Sequence, residues 1–177
     1  HKNLTTNLKQ CASIEQLDEN EVFLSILPLS HTLENTVGLL LPFAHGAAIY
    51  YLDRPPTASV LLPALKKVRP TYLLSVPMVI EKIYKLQIKA KFNSSPVSRR
   101  LYRLPMIRKV LHKVAGKKLY ETFGGRLKFF GIGGAKLDAS TERFLSEAKF
   151  PYAIGYGLTE TAPILTLIPL THINVNS

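Results

Sequence analysis

Leu127-Lys-Phe-Phe-Gly-Ile132, followed directly by Gly133-Gly134-Ala135-Lys136-Leu137-Asp138, is the stretch on which the fold turns. The first six residues are short, apolar and aromatic, as a strand buried on both faces would be. Two adjacent glycines then permit a tight turn, because a backbone without Cβ atoms bends freely and lets a flat ligand approach. Asp138 is a helix N-cap residue, and Phe144, Leu145 and Ala148 recur behind it at helical spacing. Strand, glycine turn and helix form one half of a βαβ unit.

The alternation continues outward in both directions. Leu4 to Ala12 repeats apolar side chains at helical spacing, and Val22 to Leu27 (VFLSIL) reads as a buried strand. Val37, Leu40, Leu41 and Ala44 mark a second helix that Gly46 can end. Ala47 to Leu52 (AAIYYL) is a strand, after which Pro55 and Pro56 break the chain. Leu61, Ala64, Leu65 and Val68 mark a helix stopped at Pro70. Tyr72 to Val76 (YLLSV) is a strand ended by Pro77, and Ile80, Ile83, Tyr84 and Ile88 mark the next helix. A polar loop with Asn93, Ser94, Ser95 and Pro96 follows. Ile107, Val110, Leu111 and Val114 predict the apolar face of a fifth helix. Downstream, Tyr152 to Tyr156 and Ile164 to Ile168 are the last candidate strands, and the tail 169–177 has no pattern. The reading predicts an α/β fold with a mainly parallel sheet flanked by helices. Ligands of such sheets bind beyond the carboxyl ends of the strands. The loops to inspect are therefore PLSH (28–31), SVP (75–77), GIGGAKL (131–137) and GYGLTET (155–161).

With 177 residues of which 46% are apolar, the chain can bury a core and is not a disordered segment. No apolar run reaches the ~18 residues of a membrane span, and no signal peptide is legible at HKNLTTNLKQ. A single cysteine, Cys11, excludes an internal disulfide and a cysteine zinc site. Its spacing with Leu4, Leu8 and Ala12 makes it a small buried hydrophobe, and a reducing, cytoplasmic setting fits. The net charge of +11 is concentrated: residues 85–118 hold eleven Lys or Arg and no Asp or Glu. Residues 106–118 predict an amphipathic helix with Arg108, Lys109, Lys113 and Lys117 largely off its apolar face. The basic segment 99–118 is a candidate for peripheral contact with an anionic bilayer; a solvated helix face covering the sheet, or a contact with the part of the protein outside this fragment, is the plainer alternative. No nucleic-acid motif and no stacking pattern of aromatics is interleaved with these charges, so a nucleic acid is not an expected partner.

In GYGLTETAP (155–163), an aromatic, a hydroxyl and a carboxylate fall within five residues after a strand. Tyr156 can present its ring to a base, Thr159 can hydrogen-bond a phosphate oxygen, and Glu160 can hold Mg²⁺, which takes carboxylate oxygens together with substrate phosphates. Taken alone, each loop is also consistent with an ordinary turn.

Together, YGLTE (156–160), the Gly133-Gly134-Ala135 turn about twenty residues upstream, and PLSH (28–31) resemble the three ordered motifs of the adenylate-forming acyl-CoA synthetase superfamily. The resemblance spans Val22 to Pro163. LPLSHTLENT, VPMVIEKIY and FGGRLKFFGIGGAKLD are similar in detail to long-chain fatty acid–CoA ligases. Ile132 stands where a small hydroxyl residue is common, and Lys136 where proline is common. The resemblance implies that Tyr156 stacks on adenine while Gly133, Gly134, Ala135 and Gly157 line the nucleotide. It further implies that Thr159 contacts the adenylate phosphate, that Glu160 binds Mg²⁺, and that His31 orients the acid; Glu160, Thr159 and His31 are thus the candidate catalytic residues. ATP, Mg²⁺ and CoA are the implied cofactors and co-substrates, with a fatty acid as the acid substrate. A medium-chain or aryl-acid ligase of the same superfamily, and a non-catalytic basic binding module, are the alternatives.

The superfamily's Ser/Thr/Gly-rich phosphate loop, its downstream ribose-binding Asp and the lysine of its mobile C-terminal domain have no counterpart in these residues. The expectation is therefore that 1–177 is a single internal fragment of the large N-terminal domain, inactive alone.

Overall fold

A computed structural model describes residues 1–14, 17–92, 100 and 102–168. The polar loop at Asn93–Pro96 and the tail 169–177 lie outside the described residues. Helix α1 spans Lys2–Ile14 and strand β1 Val22–Ser25. Helix α2 begins as a π-helical stretch, Glu34–Leu40, and continues as Leu41–Ala44. Strand β2 is Ala48–Tyr51, α3 Ala58–Val68 and β3 Tyr72–Ser75. Helix α4 runs through Pro77–Ile83, a second π-helical stretch Tyr84–Lys89, and Ala90–Phe92. Helix α5 is Pro105–Thr122, β4 Phe129–Ile132, α6 Ala139–Glu147, β5 Tyr152–Tyr156 and β6 Thr166–Ile168.

The strands form one sheet in the order β2-β1-β3-β4-β5-β6. Every neighbouring pair is parallel except β5–β6, which is antiparallel. The chain winds from β1 outward to β2, then returns past β1 to lay β3, β4 and β5 on its other side. The direction of winding therefore reverses between β1 and β3, and a crevice at the strand ends is the expected ligand position.

The continuous apolar strands are explained by burial on both faces. Leu24, Leu73, Phe130, Ile132 and Tyr152 face a core closed by α3, α4, α5 and α6, with Leu65, Ile80, Phe144 and Leu145 fully buried. Their alternates Phe23, Tyr72, Leu74, Phe129 and Ala153 face α1 and α2, where Cys11, Val37 and Leu41 pack. Register places Phe23 beside Tyr72 and Tyr72 beside Phe129, and the three rings stack at centroid distances of 4.8 and 5.6 Å. Cross-strand aromatic pairs of this kind each contribute roughly 0.5–1.5 kcal/mol beyond area burial.

Local signals behave as their chemistry requires. Asp138 caps α6, its Oδ1 accepting the backbone N–H groups of Ser140 and Thr141 at 3.1 Å each. Before Pro70, α3 closes with Arg69 in the left-handed region (φ 52°). Gly46 follows α2 at φ +70°. Cys11 is buried and free.

Two features depart from expectation. The π-helical start of α2 is one: Pro42 has no N–H to give the Gly38 carbonyl, and the Leu41 N–H bonds Thr36 instead. The rotation of α5 is the other. Val110 and Val114, expected on the buried face, are 61% and 67% exposed, whereas His112, Gly116 and Leu119 are buried. An inward charge pair sets this rotation: Arg108 donates to both oxygens of Glu147 on α6, at 2.8 and 3.2 Å.

Candidate active site

A cleft of about 230 Å³ opens at the carboxyl ends of β1, β4 and β5. That is below the ~300 Å³ at which whole-ligand pockets begin. His31, Gly133, Gly134, Tyr156, Gly157 and Thr159 all line it. Three loops separated by up to 128 positions in sequence thus meet at one place. Ala135 and Glu160 do not line the cleft; both are exposed beside it.

The β1 loop turns back on itself, with His31 N–H donating to Pro28 O at 2.9 Å. His31 then heads α2: its Nδ1 accepts the Leu33 N–H at 3.2 Å, and its carbonyl accepts the Asn35 N–H. With Nδ1 used as an acceptor, the neutral ring carries its proton on Nε2, which is left as a donor.

The β4 turn is set by its glycines. Gly133 donates to Ser75 O at 3.1 Å, and a Cβ on Gly133 would lie 3.2 Å from Leu33 Cδ2. Gly134 sits at φ +86°, where an L side chain is strained. Behind the turn, Glu81 Oε1 accepts the Asp138 N–H at 2.9 Å, tying α4 to the start of α6.

The β5 loop is held by its own hydroxyl. Thr161 Oγ1 accepts the Leu158 N–H at 2.9 Å and lies 2.8 Å from Leu158 O, which shapes the 3₁₀ turn Thr159–Thr161 and projects Glu160 to solvent. Asn7, 4% exposed on α1, grips the following segment at both polar groups of Ile164. Its Nδ2 donates to Ile164 O at 2.7 Å, and its Oδ1 accepts the Ile164 N–H at 3.4 Å. The Asn7 role was not legible in sequence, because the only signal is a polar residue on the inner face of an amphipathic helix.

Below the loops the cleft is apolar. Cys11, Leu17, Phe23, Val37, Tyr72 and Leu74 contribute to its floor. Polar, hydrogen-bonding loops thus sit above an apolar trough, the arrangement suited to a ligand with a polar head and a greasy tail. Next to the trough, Glu34 is 1% exposed and its Oε2 has no hydrogen-bond partner. Burial pushes its carboxyl up to about 7, partly opposed by a hydrogen bond from Ser25.

Among the described residues no group of three His, Cys, Asp or Glu side chains gathers as a metal cage. One exposed carboxylate, Glu160, beside the polar loops is the donor set that suits Mg²⁺, an ion that completes its shell with water and substrate phosphate.

This fold recurs within solved CoA-ligase structures. Apo MatB from Rhodopseudomonas palustris matches with a TM-score of 0.67 over 97% of this chain and 28% of that one, at 21% identity. An anthranilate CoA ligase bound to anthranoyl-AMP matches with a TM-score of 0.71 over all of this chain and 29% of that one, at 16% identity.

The chain belongs to the AMP-binding enzyme family, which it matches over residues 1–176. Curated relatives include fatty acyl-CoA synthetase B of Dictyostelium discoideum, 30% identical over 90% of this chain and 26% of that protein. Long-chain-fatty-acid–CoA ligase 2 of Schizosaccharomyces pombe is 32% identical over 91% of this chain and 26% of that protein. The chain spans about a quarter of the length of the curated relatives it matches.

Proposed function

We propose that this chain supplies one wall of the nucleotide site and the head of the acyl trough in an AMP-forming ligase that activates long-chain fatty acids as CoA thioesters. The observation that carries the reading is the continuity of one cleft from Tyr156 and the Gly133–Gly134 turn down to Cys11, Val37 and Phe23. The names of the relatives, fatty acyl-CoA and long-chain acyl-CoA synthetases, support the same substrate class.

In this reading the adenine lies between the Tyr156 ring and the glycine backbone. The Thr159 hydroxyl donates to an α-phosphate oxygen, and His31 Nε2–H donates to one oxygen of the fatty acid carboxylate, holding the other toward phosphorus. The carboxylate oxygen attacks the α-phosphorus, the bond from that phosphorus to the oxygen bridging the α- and β-phosphates breaks, and pyrophosphate leaves with the electron pair. Glu160 would hold the Mg²⁺ that, when bound, neutralises charge on the phosphates. The thiolate of CoA then attacks the acyl carbon, and AMP departs. The water-poor trough keeps the alkyl chain buried and the mixed anhydride away from hydrolysis.

A second reading, a medium-chain or aryl-acid ligase, draws its aryl form on the anthranilate CoA ligase that shares the fold. Acid-dependent ATP–pyrophosphate exchange in the complete protein that carries this chain separates the two, run on benzoate, anthranilate and the fatty acids from butyrate to arachidate with Glu160→Ala alongside. Exchange greatest with long chains and lost in the variant is the expected result. Exchange confined to short or aromatic acids would replace the long-chain assignment with the second reading.

A further inference from the structure

The rotation of α5 leaves an unusual face in solvent. Its inner side is fixed at three points: Arg108 pairs with Glu147, His112 is buried, and Gly116 lies so close to α6 that a Cβ there would meet Ala148 Cβ at 2.5 Å. The outer side therefore cannot turn inward without breaking these contacts. On it, Met106, Val110 and Val114 are 83%, 61% and 67% exposed. They stand at i, i+4 and i+8, in one row. Lys109, Lys113 and Lys117 repeat at the same spacing on the same half of the helix, all exposed. Lys118 widens the charged border, and the preceding Arg100, Arg103 and Leu104 are exposed as well. Glu121, at the far end, is the one carboxylate of the helix.

Isolated apolar residues on a surface need no explanation, but a row of three between lysines does. We propose that this face of α5 docks on an anionic lipid surface, with Met106, Val110 and Val114 entering the headgroup–acyl boundary and the lysines reaching lipid phosphates. Charge complementarity selects the occupant: eleven basic residues and no acidic ones fall in 85–118. Lysine stems lie along apolar surface while their heads reach out, as an interfacial helix requires. A nucleic acid would satisfy the lysines and leave the apolar row in water, since phosphate contacts are made by polar and charged groups. No described helix is long and apolar enough to cross a membrane, so the contact is lateral.

Co-sedimentation of the complete protein with phosphatidylcholine vesicles, with and without phosphatidylserine, tests the proposal. The wild type sediments with the anionic vesicles, and added salt releases it. Lys113→Gln/Lys117→Gln weakens that binding roughly 30-fold, at ~1 kcal/mol per charge. Val110→Ser/Val114→Ser weakens it about tenfold. All four positions are exposed, and an unchanged circular dichroism spectrum and melting temperature verify that the variants fold. Equal binding to both vesicle types, or wild-type affinity in both variants, overturns the proposal. Tighter binding to duplex RNA than to the anionic vesicles, lost in the lysine variant, also overturns it and gives the face to a nucleic acid.

Discussion

Gly157 and Pro163 meet backbone to backbone: a Cβ on Gly157 would stand 1.7 Å from the Pro163 carbonyl oxygen. No side-chain rotation relieves such a contact, so the loop that carries Thr159 and Glu160 closes only with glycine at this position. Gly157→Ala must therefore reopen the loop and displace Thr159 from the cleft. Exchange activity should fall by at least a hundredfold, as misplacement by ~1 Å does in other sites. Gly155→Ala is the control, because its Cβ would meet Leu167 Cδ1 at 3.7 Å, an ordinary contact. Similar activity in both variants would detach the loop from the chemistry.

Asn7 holds the same loop from α1. Asn7→Leu leaves the Ile164 N–H and C=O without these partners, at a cost of roughly 1–3 kcal/mol. The expected signature is a raised KM for ATP with kcat less affected, because the residue positions the loop and does not touch substrate. Initial-rate exchange at varied ATP measures both; an unchanged KM would confine Asn7 to a structural role.

Glu34 makes the fold less stable as pH rises. Its carboxyl is held neutral in the folded chain up to about 7, against an ordinary value of 4.5. Between those values the unfolded chain gives up a proton that the folded chain keeps, so stability falls across pH 4.5 to 7. Glu34→Gln should remove that slope and raise stability at pH 8 by up to about 3 kcal/mol. Urea denaturation at pH 5 and pH 8 reads it directly, and a variant no more stable at pH 8 would contradict the assignment.

The opposite slope belongs to His112. Burial lowers its pKa from 6.5, only partly offset by Glu147. Glu147 Oε2 lies 2.8 Å from Nδ1, out of line for a hydrogen bond, while Nε2 lies 2.7 Å from the Tyr102 hydroxyl. As pH falls through about 6.5, the unfolded chain takes up a proton that the folded chain refuses, and stability drops. Glu147 adds a second loss below 4.5, because its carboxyl, despite burial, is pulled down by the Arg108 hydrogen bond. His112→Gln should remove the fall in melting temperature that this group contributes between pH 7.5 and about 5.5, leaving the opposite slope of Glu34. A slope unchanged in that variant would assign the titration to another group.

Much of this was written in the sequence, and what was not has physical reasons. The strands are legible because both faces of β3 and β4 are buried, so residues 72–74 and Phe129–Ile132 carry no polar side chain that water would solvate. Asp138 and Gly134 are legible because a cap and a left-handed turn have few chemical solutions. The face of α5 was misread because the helix turns a half-buried charge, Arg108, and a buried histidine, His112, toward Glu147 of another element. Periodicity cannot anticipate a partner 39 residues away. The trough was hidden for a related reason: strands apolar on both faces do not say which face meets helices and which lines a cleft.

The trough also bears on chain length. Val37 sits on α2 with its side chain in the cleft floor, beside Leu41 and opposite the Phe23–Tyr72–Phe129 stack. Replacing it with phenylalanine adds bulk where an alkyl chain would pass, at a folding cost of roughly 1–3 kcal/mol for overpacking. Acids too short to reach the floor should escape the effect. Val37→Phe is therefore expected to cut exchange with palmitate about tenfold or more while butyrate retains its wild-type rate, since a clash with bound ligand of ~1.4 kcal/mol suffices for a tenfold loss. Proportional loss for every acid would mean that the substituent perturbs His31 through α2, and the alkyl chain would then have to leave the cleft by another route.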